Sequence, residues 1–271
     1  MELIVIGAGP AYTDRRGAAS AGYLVCAGGA AMMIDLGQGT FPNLASTLEP
    51  STLAAVLVSH LHPDHFIDLV PLRHYLRFEF EPPRRMRVFG PVELAERIDA
   101  LHGAPGFAAA SLDVSPLGAG ERQIGPFTVE TKLVTHTQES YAMRVCAGGT
   151  GSVGRDVATT GAGASEGVGA GASGPALVYS GDCGRADDLL PLIHPGDTLL
   201  AEASFGTGPV PQGASHLTAA EAARVAVAGG ASRLLLTHVQ MGYSRSETLA
   251  AAQAVFSGPV QLVTEGDRFE I

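Results

Sequence analysis

The run His60-Leu61-His62-Pro63-Asp64-His65 follows, one residue on, the apolar stretch Leu53-Ala54-Ala55-Val56-Leu57-Val58. A strand-length apolar segment that empties into four metal-ligating side chains restricts the chain to folds that present strand ends as a site. In extended backbone, residues two apart point the same way, so His60 and His62 can converge on one ion. The turn at Pro63 then brings Asp64 and His65 round toward a second. The spacing suits two metals.

Apolar patterning and turn residues place strands at about 2–6, 21–27, 30–35 and 53–58, a helical stretch from His65 toward Phe80 with Pro71 as a kink point, a strand near 86–90 and a helix at 91–102. Further strands are expected near 111–115, 121–124, 126–134 and 140–147. The second half then alternates, with strands at 176–180, 197–202, 233–237 and 259–264 and helices at 184–193, 218–229 and 245–256. Thr218 and Glu221 have the spacing of a capping box that opens the helix at 218. Strand-rich runs flanked by helices predict an α/β protein in which two stacked sheets are covered by helices, a four-layer αββα sandwich, as a single domain over 1–271. From Gly148 to Pro175, ten of 28 residues are glycine and the charged ones are Arg155, Asp156 and Glu166. Such a segment buries little, and a flexible loop at about 148–175 is expected.

Composition narrows the function. Hydrophobic residues make up 46% of the 271 and charged residues 16%, enough for a sizeable core. Lys and Arg number 17 against 27 Asp and Glu, a net charge of −10. This opposes a broad nucleic-acid surface, which needs cations to release phosphate counterions. No apolar run approaches the roughly 18 residues that span a bilayer, and Glu2 stands where a signal peptide carries bases, so a soluble cytoplasmic protein without membrane contact is expected. The three cysteines, Cys26, Cys146 and Cys183, are too few and too far apart for a disulfide framework and read as core residues.

Three later strands also end on ligand-type residues: Leu133-Val134-Thr135-His136, Val178-Tyr179-Ser180-Gly181-Asp182 and Leu234-Leu235-Leu236-Thr237-His238. In this order the chain resembles the metallo-β-lactamase-fold hydrolases. The resemblance implies one metal held by His60, His62 and His136, a second held by Asp64, His65 and His238, and Asp182 bridging both. Gly22-Tyr23-Leu24-Val25, Ile34-Asp35-Leu36-Gly37-Gln38-Gly39, Glu202-Ala203-Ser204-Phe205 and Ser215-His216-Leu217-Thr218 are similar to the ribonuclease Z-like branch. That likeness implies a non-ligand histidine, His216, which contacts the substrate phosphate and assists the leaving group, with Glu202 orienting it. It also implies a homodimer. Ala201 and Leu217 depart from ribonuclease Z, which has a histidine and a serine there.

Two divalent ions, zinc first and manganese or iron as alternatives, bring +4. Asp64 and Asp182 bring −2, and a hydroxide bridging the ions brings −1, leaving about +1 to attract an anionic ester. The expected catalytic groups are Asp64 and Asp182, with His216 and Glu202 as the resemblance implies. Where short ribonuclease Z carries a tRNA-gripping arm, this chain has its Gly/Ala tract, which favours a small phosphodiester such as a cyclic nucleotide. The alternatives are tRNA 3′-end processing, in which nucleic acid is met at the active site alone, and hydrolysis of a carboxyl, thio or sulfate ester. A non-catalytic metal-binding module is the further alternative.

Gly7-Ala8-Gly9-Pro10 does not read as a dinucleotide loop, because Tyr12 replaces the third glycine and Pro10 precludes the helix. Arg15 and Arg16 follow that loop as candidate basic residues near the site or as a solvated turn. Asp35 is a candidate hydrogen-bond partner for a ligand histidine or a turn cap. His74, His102 and His194 lack a ligand partner in the sequence.

Overall fold

The computed structural model describes residues 1–148 and 174–271. The expected loop at 148–175 lies almost wholly outside them. Strand β1 (Glu2–Gly7) shows how the layers arise. Leu3 and Val5 turn toward one apolar cluster and Ile4 and Ile6 toward another, the period of two that an extended chain imposes. A strand apolar on both faces must be covered on both faces.

Next along the chain come β2 (Gly22–Ala27), β3 (Ala30–Ile34), helix α1 (Thr40–Thr47), β4 (Val56–Leu57), helices α2 (Pro63–Phe66) and α3 (Leu69–Phe78), β5 (Met86–Gly90), α4 (Leu94–His102) and β6 (Leu112–Pro116). Then follow β7 (Gly120–Ile124), β8 (Phe127–Val134), β9 (Ser140–Ala147), β10 (Leu177–Tyr179), β11 (Thr198–Glu202), α5 (Ala219–Gly229), β12 (Arg233–Thr237), α6 (Arg245–Gln253), β13 (Val260–Leu262) and β14 (Arg268–Glu270). One sheet has the order β14-β1-β2-β3-β4-β5-β6 and the other β13-β12-β11-β10-β9-β8-β7. Each is antiparallel through its hairpins and parallel across three consecutive pairs, β3 to β6 in the first and β10 to β13 in the second.

Tyr23, Val25, Met32 and Leu57 of one sheet meet Phe127, Val129, Met143 and Leu200 of the other in the central core. Outside the first sheet, Met33, Val56 and Val88 pack under Leu44, Leu72, Leu76 and Ile98 of the helices. Outside the second, Leu199, Leu234 and Leu236 pack under Ala222, Ala226 and Ala252. The architecture is the expected αββα sandwich. The capping box forms, Thr218 Oγ1 accepting from Glu221 N–H and Glu221 accepting from Thr218 N–H at 2.8 Å.

Several elements differ from expectation. The stretch 65–80 is two helices, because Asp68 turns its backbone N–H to Leu36 and its carboxylate to Phe41 N–H. Pro71 falls in the first turn of α3, where its missing N–H has no helical acceptor to lose, so it does not kink the helix. The helix expected at 184–193 is one 3-10 turn, Ala186–Leu189, since Pro191 cannot continue it. Strand 53–58 shortens to Val56–Leu57, and the 245–256 helix ends at Gln253. Helix α1 and strand β14 were not anticipated.

Candidate metal centre

Every candidate ligand comes from the same edge of the sandwich, beyond the carboxyl ends of parallel strands, where open α/β sheets leave a crevice. His60 follows β4, Asp182 follows β10, Glu202 closes β11 and His238 follows β12. His136 follows β8, which runs the same way as β10 because antiparallel β9 lies between them. A bridge between His60 and Ser140 ties the two sheets together at this point.

The structure gathers the seven residues expected from the sequence into two groups. His60 Nε2 is 2.9 Å from His62 Nδ1, which is 3.2 Å from His136 Nε2. His65 Nε2 is 3.3 Å from His238 Nε2, which is 3.1 Å from Asp64 Oδ2. Asp182 stands between the groups. Its Oδ2 is 3.6 Å from His60 Nε2, while its Oδ1 is 3.5 Å from His65 Nε2 and 3.7 Å from His238 Nε2.

These residues fit divalent ions. Asp182 Oδ1 is buried with no hydrogen-bond partner, a costly state for a carboxylate unless a cation meets it. Nitrogens of His60, His62 and His136 and an oxygen of Asp182 lie within 4.8 Å of one another, as do the donor atoms of Asp64, His65 and His238. Such sets match the mixed nitrogen and oxygen donors that zinc, manganese or iron accept.

Electrostatics separates the two groups. Burial pushes the His60 imidazole well below its usual pKa, and burial lowers His62 and His136 as well, so these three rings are neutral and ready to donate a lone pair. At His65 burial pulls the same way, but the charges of Asp182 and Asp35 overcome it and hold the pKa well above the usual value. His238 is raised by Asp182 and Asp64 against its burial. Burial would raise Asp182, yet His238, His65 and His60 together hold it well below the carboxylate range. The carboxylates around His65 and His238 thus favour positive charge at this group, which an ion would supply in place of protons.

Polar partners fix these rings. His65 Nδ1 faces Asp35 Oδ2 at 2.7 Å, and the same oxygen accepts from Tyr179 Oη at 2.7 Å. Ser59 donates to Asp35 through both its N–H and its hydroxyl. Asp35 and His238 have φ of 55° and 61°, a region that non-glycine residues enter only when their surroundings over-determine it. His238 is held there by its N–H donating to Ala8 O at 3.1 Å.

Beside Asp182 lies His216, its Nδ1 3.0 Å from Glu202 Oε1 and 3.7 Å from Asp182 Oδ2. Burial would lower His216, but the hydrogen bond and charge of Glu202 outweigh it and raise the pKa to about 9. Glu202 is wholly buried and accepts from the N–H groups of Cys183 and Ser204 and from the Ser204 hydroxyl. The Cys183 thiol donates to Arg185 O and is pushed up to about 12 by burial, which disfavours the thiolate. Arg15 turns to Glu265. His74 and His102 pack on Phe107 instead of joining the site.

The family model described as the beta-lactamase superfamily domain matches residues 33–239. The chain belongs to the beta-lactamase superfamily. A superfamily-scale likeness extends to the uncharacterized protein ML1173 of Mycobacterium leprae, 30% identical over 246 residues that cover 89% of this chain and 78% of that protein. The crystal structure of the metallo-beta-lactamase fold protein YhfI from Bacillus subtilis superposes with a TM-score of 0.81 at 24% identity, covering 99% of both chains. Human tRNase Z, short form, superposes with a TM-score of 0.71 at 20% identity, covering 100% of this chain and 99% of that one. The ribonuclease Z-like resemblance is borne out in the fold.

In this superfamily member, sequence reasoning missed Ser59, Tyr179 and Ser204. Ser204 Oγ lies 3.0 Å from His238 Nδ1 and 3.3 Å from His216 Nδ1, linking the two histidines. The available signal was position: each missed residue sits within two places of a strand end that also carries a candidate site residue.

Proposed function

We propose that the protein is a metal-dependent hydrolase of small phosphodiesters, with a cyclic nucleotide as the substrate class, acting through two divalent ions, zinc foremost. The observation that carries this reading is the position of Asp182, whose two oxygens face two different histidine groups while His216 stands beside it. His60, His62 and His136 would hold one ion and Asp64, His65 and His238 the other, with Asp182 lying between the two groups. When bound, two such ions would offset a diester's negative charge and supply Lewis-acid activation of water at neutral pH.

The chain's own groups complete the reaction. Glu202, fixed by Ser204 and the Cys183 N–H, keeps His216 protonated through Nδ1 and leaves its other nitrogen to face the substrate. His216 then donates a proton to the departing oxygen. Asp64 and Asp182 orient the attacking water. The wholly buried Asp35 fixes the tautomer and direction of His65.

A small substrate agrees with the net charge of −10 and with the single arginine of the Gly/Ala tract, which offers little to a tRNA. The fold shared with human short tRNase Z supports a second reading, tRNA 3′-end processing, and relative rates on precursor tRNA and on 2′,3′- and 3′,5′-cyclic nucleotides separate the two. The direct test uses metal-loaded protein and bis-p-nitrophenyl phosphate. His62→Ala and Asp182→Ala should abolish turnover, and undiminished rates in both would remove the mechanism.

A further inference from the structure

The groups so far given a role are polar or charged, yet the turn that follows His238 carries apolar side chains. Gln240 N–H donates to Ser204 O at 3.2 Å and Tyr243 N–H to Gln240 O at 3.1 Å, so this turn is fastened to the segment bearing Glu202 and Ser204. Gly206, at φ 42°, makes room for it: a Cβ there would stand 2.7 Å from Tyr243 Cβ and 2.9 Å from its ring. Tyr243 therefore lies directly on backbone. Its ring centroid is 6.1 Å from Phe205, which is 5.7 Å from His216, both contacts edge to face. An aromatic row thus joins His216, through the buried Phe205, to Tyr243, which is half-buried against the core beneath α5 and α6.

At the tip of the same turn Met241 is 52% exposed. Val210 is exposed on the segment that joins Phe205 to His216. Tyr12 is exposed on the segment following Ala8, whose carbonyl fixes His238. Apolar side chains on segments fastened by backbone to the residues of a polar reaction centre suit a substrate with one charged and one flat apolar end. Thioethers and aromatic rings pack well on the faces of planar heterocycles.

Resting on the phosphodiesterase reading, we infer that the Met241–Tyr243 turn is the seat of the substrate's planar ring, a nucleobase attached to the scissile phosphodiester. The site would therefore favour a nucleoside cyclic phosphate over a five-membered cyclic phosphate that carries no planar ring.

The test compares 2′,3′-cyclic AMP with glycerol 1,2-cyclic phosphate, followed by phosphorus NMR on metal-loaded protein. Wild type should prefer the nucleotide by about tenfold or more in kcat/KM, expressed in KM. Met241→Ser and Tyr243→Ser should each reduce that preference severalfold, and Val227→Ser, on the exposed side of α5, should leave it unchanged. Equal kcat/KM on both substrates in wild type, or a preference that survives both variants, overturns the inference while leaving the phosphodiesterase reading intact. No turnover by wild type of either substrate, of 3′,5′-cyclic AMP or of bis-p-nitrophenyl phosphate overturns the reading itself. A drop in sedimentation coefficient in Met241→Ser with the preference retained would assign the turn to contact between two copies of the chain and overturn the inference.

Discussion

Asp35 Oδ2 stands 2.7 Å from His65 Nδ1, with both side chains fully buried. A metal-binding imidazole whose far nitrogen donates to a carboxylate is fixed in tautomer and direction and is a stronger donor. Asp35→Asn should therefore weaken metal binding at the Asp64, His65 and His238 group by about 10- to 100-fold. Competition against a chelator would measure it. Unchanged affinity would mean that His65 needs no such partner.

Gly37 makes the early cluster's shape attainable. A Cβ at this position would lie 1.8 Å from Asp64 O, so helix α2 rests on bare backbone. Gly37→Ala must displace the segment that carries Asp64 and His65. A loss of about 1–3 kcal/mol in denaturant melts, with reduced metal content, is expected. A variant with wild-type stability and metal content would show that the contact is not needed.

The Glu202–His216 pair gives a pH dependence. In the metal-free protein the His216 pKa is raised from 6.5 to about 9, against its burial, by Glu202. The pair's contribution to stability is thus fully present below about pH 6.5 and is lost as pH rises through about 9. Glu202→Gln should return the His216 titration toward or below 6.5, seen by NMR of the ring protons, and should narrow the stability gap to wild type as pH rises. An unmoved titration would deny Glu202 its role.

Arg144 and Asp197 form a buried ion pair at 2.8 Å, and Asp197 also accepts from the N–H groups of Ala176 and His194. Burial would lower the Arg144 pKa, but the hydrogen bond and charge of Asp197 outweigh it and raise the pKa, so the guanidinium stays charged. Asp197→Ala strands that charge and should cost about 3–5 kcal/mol in thermal or denaturant unfolding. A cost below about 1 kcal/mol would place the pair with weak surface bridges.

The layers and the seven gathered residues were legible because both rest on local rules. The unbroken apolar runs of β1 and β12 mark strands buried on both faces and the alternation of β8 marks one buried on a single face, while β8 and β12 run directly into His136 and His238. Helix α1 was not legible. Its cap, Gly39, makes no side-chain hydrogen bond, and its Phe41 N–H is satisfied by Asp68, 27 residues away. Strand β14 was hidden for a similar reason, since Arg268–Glu270 is defined by pairing with β1 at the far end of the chain. The pairing of Asp35 with Tyr179 spans 144 residues and follows from the stacking of the two sheets. Spacing alone does not reveal it.

The two-ion arrangement centred on Asp182 is tested most directly by elemental analysis of metal-reconstituted, desalted protein, wild type beside Asp182→Ala. The account predicts two equivalents of divalent metal per wild-type chain and one or fewer in the variant. One equivalent or none in wild type, or two retained without Asp182, would contradict it.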